Sequence, residues 1–373
     1  VRFPRHRPPW RKFLQRAGTG TAVVVFLVLA STRILPADVL IRPGDPFPDL
    51  EFYGLLEPGD YPKLGLGKAS GPFRLSEIPG RVLVLEFFNK ACVPCQTHVR
   101  QVEAAYQEIL ERGLGERIRV LGVAAGNLPK YLGRYRKRRK LSYPITADPQ
   151  FDQWRRIGDP GRTPFTLFLV RRDGRWLLAR YSFGIQWKTE LLGHALTLDA
   201  APERAVRREP GLPPLRSGPL VVPVAEAKLR DMVVGLMERV TGLAGLSAEP
   251  VRVPDGMRVF RARRGGKSLP VFVRVASRRP VCEVCEAVHF MFAFDSEGRL
   301  LGFQPIHVTK YGNEEWTEED SRFFEKRLKG RRLQDLAFDP QVDAVSMATM
   351  SSALIFDEVR RTAELLDRIT EGS

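Results

Sequence analysis

Residues 82–95 read VLVLEFFNKACVPC. The first seven, 82–88, are apolar except for Glu86 and rich in β-favouring types, the pattern of a strand covered on both faces. Residues 99–111 carry Val102, Ala105, Tyr106 and Ile109 at helical spacing, and 118–124 (IRVLGVA) is a second strand of the buried kind. Strand, helix, strand in this order predicts a parallel βαβ unit. Cys92 and Cys95 fall at the junction between the first strand and the helix. A sulfur at a helix N-terminus meets unpaired amides and the positive end of the helix dipole, which favour thiolate over thiol. Cys92 is therefore the expected nucleophile. Cys95, one turn on and less exposed, is expected to resolve the mixed disulfide formed with a partner.

Working outward, a helix is expected around 128–138, strand material at 143–145 and 164–170 (PFTLFLV), and a hairpin turn at Asp173-Gly174. A return strand over 176–183 and a closing helix over 187–198 complete a central sheet covered by helices. Upstream, 38–80 is rich in Pro and Gly and leads into the sheet, so 38–200 forms one α/β domain. Residues 201–222 hold Pro202, Pro210, Pro213, Pro214 and Pro219 amid charges and read as a linker. A second, α+β domain follows over 223–373. It opens on a helical pattern at 225–243, continues through strands at 271–276, 288–294 and 300–308, and ends in helices.

The formal charge of +16 raises the question of nucleic acid, but Arg2, Arg5, Arg7, Arg11, Lys12 and Arg16 all precede the apolar run 17–30 (AGTGTAVVVFLVLA). Residues 1–37 thus read as a secretory signal, with Leu35-Pro36-Ala37 a weak cleavage candidate, or as an uncleaved anchor. Both readings export the rest of the chain to the periplasm or the outer face of the membrane. The run 134–140 (RYRKRRK) reads as a solvated helix face, with a surface for anionic lipid or an acidic partner as the alternative. No nucleic-acid motif accompanies it, and nucleic acid is not an expected partner. The four cysteines form two CxxC pairs, Cys92 with Cys95 and Cys282 with Cys285. Bridges closing such short loops restrict the unfolded chain little, so switchable disulfides are expected rather than staples.

Residues 87–95 (FFNKACVPC) resemble the active-site segment of the thioredoxin-like family, particularly its exported thiol-disulfide oxidoreductases with a redoxin-type domain, and the resemblance extends over roughly 43–199. It implies that Glu86 is the buried acid that moves protons to and from the resolving cysteine. It also implies that Thr163-Pro164 is the cis-proline that lies against the disulfide and binds a partner's backbone. The Trp that often precedes the first Cys is replaced by Ala91, which leaves partner choice and redox potential open. A redoxin-type peroxidase is one alternative, although these usually carry Thr three residues before the reactive Cys, where Asn89 stands. Another is a non-enzymatic envelope assembly protein with structural disulfides. Half of a zinc site is a third. His98 reads first as an ordinary polar residue on the helix, with tuning of the site as the alternative.

Residues 343–352 (DAVSMATMSS) are small and polar and enter a final helix. Chemistry alone makes this a capped turn, with hydroxyls and free amides that could hold a phosphate. The segment resembles the Asp-x-x-Ser/Thr-x-Ala-Thr motif of the FMN-binding domain of the C subunit of sodium-translocating NADH:quinone reductases, over about 250–366. That resemblance implies covalent FMN on Thr349, attached by a flavin transferase, with Asp343, Ser346 and Ala348 completing the motif and Met347 replacing the usual Gly. It further implies a hairpin at 295–303 and a flavin-binding loop at 307–314, where Tyr311 would stack on the ring and Lys310 would meet phosphate. Cys282 and Cys285 precede that hairpin. Covalent haem is excluded by Glu286, which stands where His is needed, and a zinc site of four thiolates would have to bridge two domains, so no metal is expected. The pair reads as a second dithiol close to the flavin or as a structural disulfide. The expectation is a cell-envelope electron-transfer oxidoreductase. Its partners would be protein thiols or disulfides and a membrane electron donor.

Overall fold

The computed structural model describes residues 41–202, 220–253, 257–281 and 285–371. The expected signal or anchor, most of the expected linker and Cys282 lie outside these residues. Among the described residues no helix is long and apolar enough to cross a membrane.

The first domain is thioredoxin-like. Its sheet runs in the order Ile145–Asp148, Ile118–Ala125, Val82–Phe88, Phe165–Arg172, Arg175–Phe183; the first three strands are mutually parallel, and Phe165–Arg172 is antiparallel to both of its neighbours. All seven residues of the central strand Val82–Phe88 are buried, Glu86 included, because helices cover both faces of a parallel sheet. Asp173 and Gly174 form the predicted two-residue hairpin, both at positive φ (49° and 75°), as the mirror-image turn demands. Helices Val93–Glu111 and Lys188–Ala200 pack against each other.

Helix Pro129–Arg139 departs from the expected solvated basic face. Arg134, Lys137 and Arg138 are exposed, but Arg136 is buried and its guanidinium donates to the buried carboxylate of Asp60. A charge run in sequence does not reveal that one of its members faces inward onto a carboxylate 76 residues away.

The second domain is a five-stranded antiparallel sheet with helices, ordered Leu300–His307, Val288–Asp295, Lys267–Arg278, Arg258–Arg264, Ser247–Val251. Its last two strands are not in the sequence reading. Pro250 and the four arginines of RVFRARR mask them, although Phe260 and Ala262 alternate inward. Along Val288–Asp295, Met291 and Ala293 face the helix Glu226–Thr241, while Phe290, Phe292 and Phe294 face the other way. There they join Leu354, Ile355, Phe356 and Val359 of helix Thr349–Arg361 in a core continuous with that of the first domain.

Buried charges also join the domains. Arg278 donates to Asp357 (3.1 Å) and Glu358 (3.2 Å) and lies 3.8 Å from Asp159 of the first domain. Arg155 of the first domain donates to Asp357, and Arg274 donates to Glu358. Burial pushes the Glu358 carboxyl up, but Arg274, Arg278 and Arg361 outweigh it and hold it down at about 2.

Candidate functional site

Cys92 is the N-cap residue of the 19-residue helix Val93–Glu111, and Cys95 lies in its first turn. The preceding loop is held by two asparagines. Asn89 donates from its amide to Ala125 O (2.6 Å) and accepts from Ala91 N (2.8 Å), while Asn127 Oδ1 accepts from Lys90 N (2.9 Å). Cys92 Sγ lies 3.5 Å from Thr163 O, and the Thr163-Pro164 peptide is cis, as the resemblance implied. The expected contrast in exposure between the two sulfurs is absent. Cys92 is 1% exposed and Cys95 0%.

Glu86 lies in the central strand that leads to the dithiol, opposite Gly122 and Thr166 in register. Its Oε2 accepts from Tyr143 Oη (2.9 Å), and Oε1 has no hydrogen bond. Gly122 is what admits Tyr143: a Cβ there would stand 2.8 Å from the ring. His98 is not a surface residue, as its sequence neighbourhood suggests, but fully buried. Its Nδ1 accepts from Gln186 N (3.1 Å), which leaves the proton on Nε2, 3.0 Å from Thr166 Oγ1 and 3.7 Å from Glu86 Oε1.

Burial pushes Glu86 up to about 8, against the Tyr143 hydrogen bond that draws it down, and burial pushes His98 down to about 4. At neutral pH both are uncharged, so their approach is a contact between neutral groups and not an ion pair. The two act oppositely on stability. Between the ordinary carboxyl value of 4.5 and about 8 the folded chain holds a proton on Glu86 that the unfolded chain releases, so stability falls as pH rises. Between about 4 and the ordinary imidazole value of 6.5 the unfolded chain binds a proton that buried His98 refuses, so stability rises. Above 6.5 only Glu86 acts. The wild type should therefore lose stability from pH 6.5 to 8 in urea titrations, and Glu86→Gln should be flat across that interval.

Tyr135 is a site residue that sequence reasoning missed. It is buried, stacks on Phe88, and its hydroxyl is pushed up by burial and by Glu86, Cys95 and Cys92, which puts it within electrostatic reach of all three. Its only sequence signal is an aromatic residue inside a basic run.

The expected flavin motif shares a cavity with the two neighbours of Cys92. A cavity of about 270 Å³ is lined by Ala91 and Val93, by Cys285, by Thr309, Lys310 and Tyr311, and by Met347 to Ser351. Thr349 opens the 13-residue helix Thr349–Arg361, with Ala348 as its buried N-cap. Tyr311 N donates to Met347 O (2.8 Å) and Ser351 Oγ donates to Thr309 O (2.9 Å), so the loop and the motif are one unit. Met347, where the resemblance has Gly, sits at φ 58°, in the left-handed region that suits Gly. Asp343 is buried, with Oδ2 accepting from Asp339 N (2.8 Å), whereas Ser346 is exposed and outside the cavity lining. Lys310 Nζ is 2.6 Å from Asp320, so its charge is already matched.

For a flavin the fit is partial. A helix N-terminus beside the Thr349 hydroxyl suits a phosphoester, and the exposed Tyr311 ring and apolar Val93 and Met350 suit a planar ring. The volume is at the lower edge of the range, about 300–1,000 Å³, usual for ligand pockets, so a flavin there would extend beyond it.

Residues 43–174 match the AhpC/TSA family. This segment is a thioredoxin-like redoxin domain. Solved structures similar to the chain include a secreted thiol-disulfide isomerase from Corynebacterium glutamicum, 18% identical, covering 44% of this chain and 92% of that one at a TM-score of 0.33. A putative thiol:disulfide interchange protein DsbE from Chlorobium tepidum is 19% identical over 44% of this chain and 99% of that one, with a TM-score of 0.32. AhpC of Mycobacterium tuberculosis is 18% identical over 43% and 98%, with a TM-score of 0.33. Among curated proteins none matches.

Proposed function

We propose that this chain is an extracytoplasmic electron-transfer oxidoreductase in which the Cys92–Cys95 pair performs thiol-disulfide exchange and is coupled to FMN carried covalently on Thr349. The observation that carries the reading is the single cavity on which Thr349, Tyr311, Cys285 and the two neighbours of Cys92 all open. Glu86, protonated up to about pH 8, is the proton reservoir for the buried sulfurs. The Thr163 carbonyl, on the cis Thr163-Pro164 step, lies against Cys92 Sγ. Bound FMN would supply one- and two-electron chemistry beside a two-electron dithiol; Thr349 would hold its phosphate and Tyr311 its ring. Export is supported by the basic and apolar order of residues 1–37.

The test is mass and in-gel fluorescence of chain exported in cells that carry a flavin transferase. One FMN increment is expected on the wild type and none on Thr349→Ala. An increment that survives the substitution, or its absence from the exported wild type, refutes the site.

The AhpC/TSA match favours peroxide reduction as a second reading. Against it, Asn89 puts an amide bonded to Ala125 O where those enzymes usually place a hydroxyl. Rapid sulfenic acid formation at Cys92 on mixing the reduced chain with hydrogen peroxide would favour the peroxidase.

A further inference from the structure

Both sulfurs of the dithiol are buried, Cys92 at 1% exposure and Cys95 at 0%, and the second domain rests beside them. Val281 O accepts from Thr163 N (2.9 Å) and from Thr163 Oγ1, and Thr163 O lies 3.5 Å from Cys92 Sγ. A proton taken up by Cys95 is therefore drawn from an interior group, and Glu86 then remains behind as a buried carboxylate. Such a charge is costly unless both oxygens find donors. Oε2 has one in Tyr143 Oη (2.9 Å), but Oε1 has none.

His98 stands at that unpaired oxygen. Its Nε2 lies 3.7 Å from Glu86 Oε1 and 3.0 Å from Oγ1 of Thr166, the cross-strand neighbour of Glu86. The ring is fixed, because Nδ1 accepts from Gln186 N (3.1 Å), which puts the ring proton on Nε2. The loop carrying Gln186 is itself pinned by Gly184 N on Pro164 O (2.9 Å) and by Lys188 N on Gln101 Oε1 (3.1 Å). Burial keeps His98 neutral, so it can donate without carrying a charge into the site. The other titratable groups around Glu86 are Tyr143 on the loop before Ile145, Tyr135 on helix Pro129–Arg139, and Cys92 and Cys95 at the start of helix Val93–Glu111. The flanking strands bring only Gly122 and Thr166 opposite it.

We propose that His98 is a positioning residue for the Cys92–Cys95 pair, holding a hydrogen-bond donor for the Glu86 carboxylate that exists only after Glu86 has protonated Cys95. The proposal rests on the thiol-disulfide reading with Glu86 as its proton reservoir. With the pair oxidised, a partner thiolate attacks Cys92 Sγ; a bond forms between the partner sulfur and Cys92, the Cys92–Cys95 bond breaks, and its electron pair passes to Cys95 Sγ. The Glu86 proton moves to Cys95. His98 Nε2–H then leaves Thr166 Oγ1 for Glu86 Oε1 and keeps its proton, so each carboxylate oxygen accepts one hydrogen bond. The reverse step, in which Cys95 attacks Cys92 Sγ and the partner thiolate leaves, returns the proton to Glu86.

Carbon-13 NMR of the Glu86 carboxyl in the oxidised full chain, where neither Cys92 nor Cys95 titrates, reads the effect directly. The pH profile of Cys92–Cys95 reduction by dithiothreitol, corrected for thiolate, is the kinetic readout. The wild-type midpoint is expected at about 8. His98→Phe should raise it by about one pH unit, the tenfold change in ionisation that one hydrogen bond to a charged group carries, and should move the alkaline fall in rate equally. His98→Gln keeps a donor and should restore both. Thr166→Val should lower the midpoint, because Nε2–H loses its competing acceptor; a merely structural role would not give shifts of opposite sign. A midpoint that His98→Phe leaves unmoved, or that His98→Gln fails to restore, overturns the proposal. So does a shift in Tyr135→Phe without one in His98→Phe. Should His98→Phe not fold, Thr166→Val decides, and an unmoved or raised midpoint is fatal. A wild-type carboxyl that titrates near the ordinary 4.5, or an alkaline fall that persists in Glu86→Gln, removes the reservoir and the proposal with it; a carboxyl at about 8 that ignores His98 removes the role of His98 alone.

Discussion

Replacing Cys92 with Ser should lower reduction of a small model disulfide by at least about a thousandfold, to the level of the uncatalysed reaction, because a hydroxyl cannot replace the attacking thiolate. The position is specific. Cys92 is the N-cap of the longest helix in the first domain, its loop is clamped by Asn89 and Asn127, and its sulfur lies against Thr163 O. Cys95→Ser should behave differently. Attack by Cys92 survives, but the mixed disulfide is no longer resolved, so a covalent adduct accumulates after one turnover. Stopped-flow thiol release, followed by intact mass, separates the two. Equal loss in both variants without an adduct would mean that the pair is a structural bridge.

Arg278→Ala should destabilise the folded chain by about 3–5 kcal/mol, the cost expected when one member of a buried ion network is removed and its partners are left uncompensated. Arg278 is buried and faces buried Asp357 and the part-buried Glu358 and Asp159. Burial works against its charge, and those three carboxylates more than restore it. Denaturant unfolding at neutral pH gives the measurement. The penalty should shrink in acid, since Glu358, held at about 2, contributes stability that is present above the ordinary value of 4.5 and lost as pH falls toward its folded value. Arg278 lies three residues before Val281, so the same variant should also make Cys92 more accessible to an alkylating reagent. A loss below about 1 kcal/mol, the size of an exposed pair, would show that the network is solvated.

The two chemistries differ in how far they could be read from residues alone. The placing of Cys92 and Cys95 between a strand and a helix was legible because their immediate neighbours announce it: a buried strand before the dithiol and helical spacing after it; Glu86 and Pro164 were singled out only through the resemblance. The hairpin at Asp173-Gly174 was legible for the same local reason, as few residues accept positive φ in succession. His98 and Arg136 misled because a polar residue on a helix reads as solvated unless its partner is known. Those partners, Thr166 and Asp60, lie 68 and 76 residues away. The strands Ser247–Val251 and Arg258–Arg264 were hidden by Pro250 and by arginines, whose side chains can leave a half-buried strand for solvent.

By itself the sequence determined that a CxxC pair sits between a buried strand and a helix and that a second pair and a Thr-containing turn follow in another domain. Helical and strand periodicities are local, and so are the electrostatics of a helix N-terminus. Only the tertiary structure decided that the dithiol is closed off, that Val281 rests on Thr163 across 118 residues of chain, and that Cys285 and Thr349 share one cavity with the neighbours of Cys92. Those relations come from the apolar core that runs continuously through both domains, and no spacing along the chain encodes the distance between surfaces that meet only when that core forms.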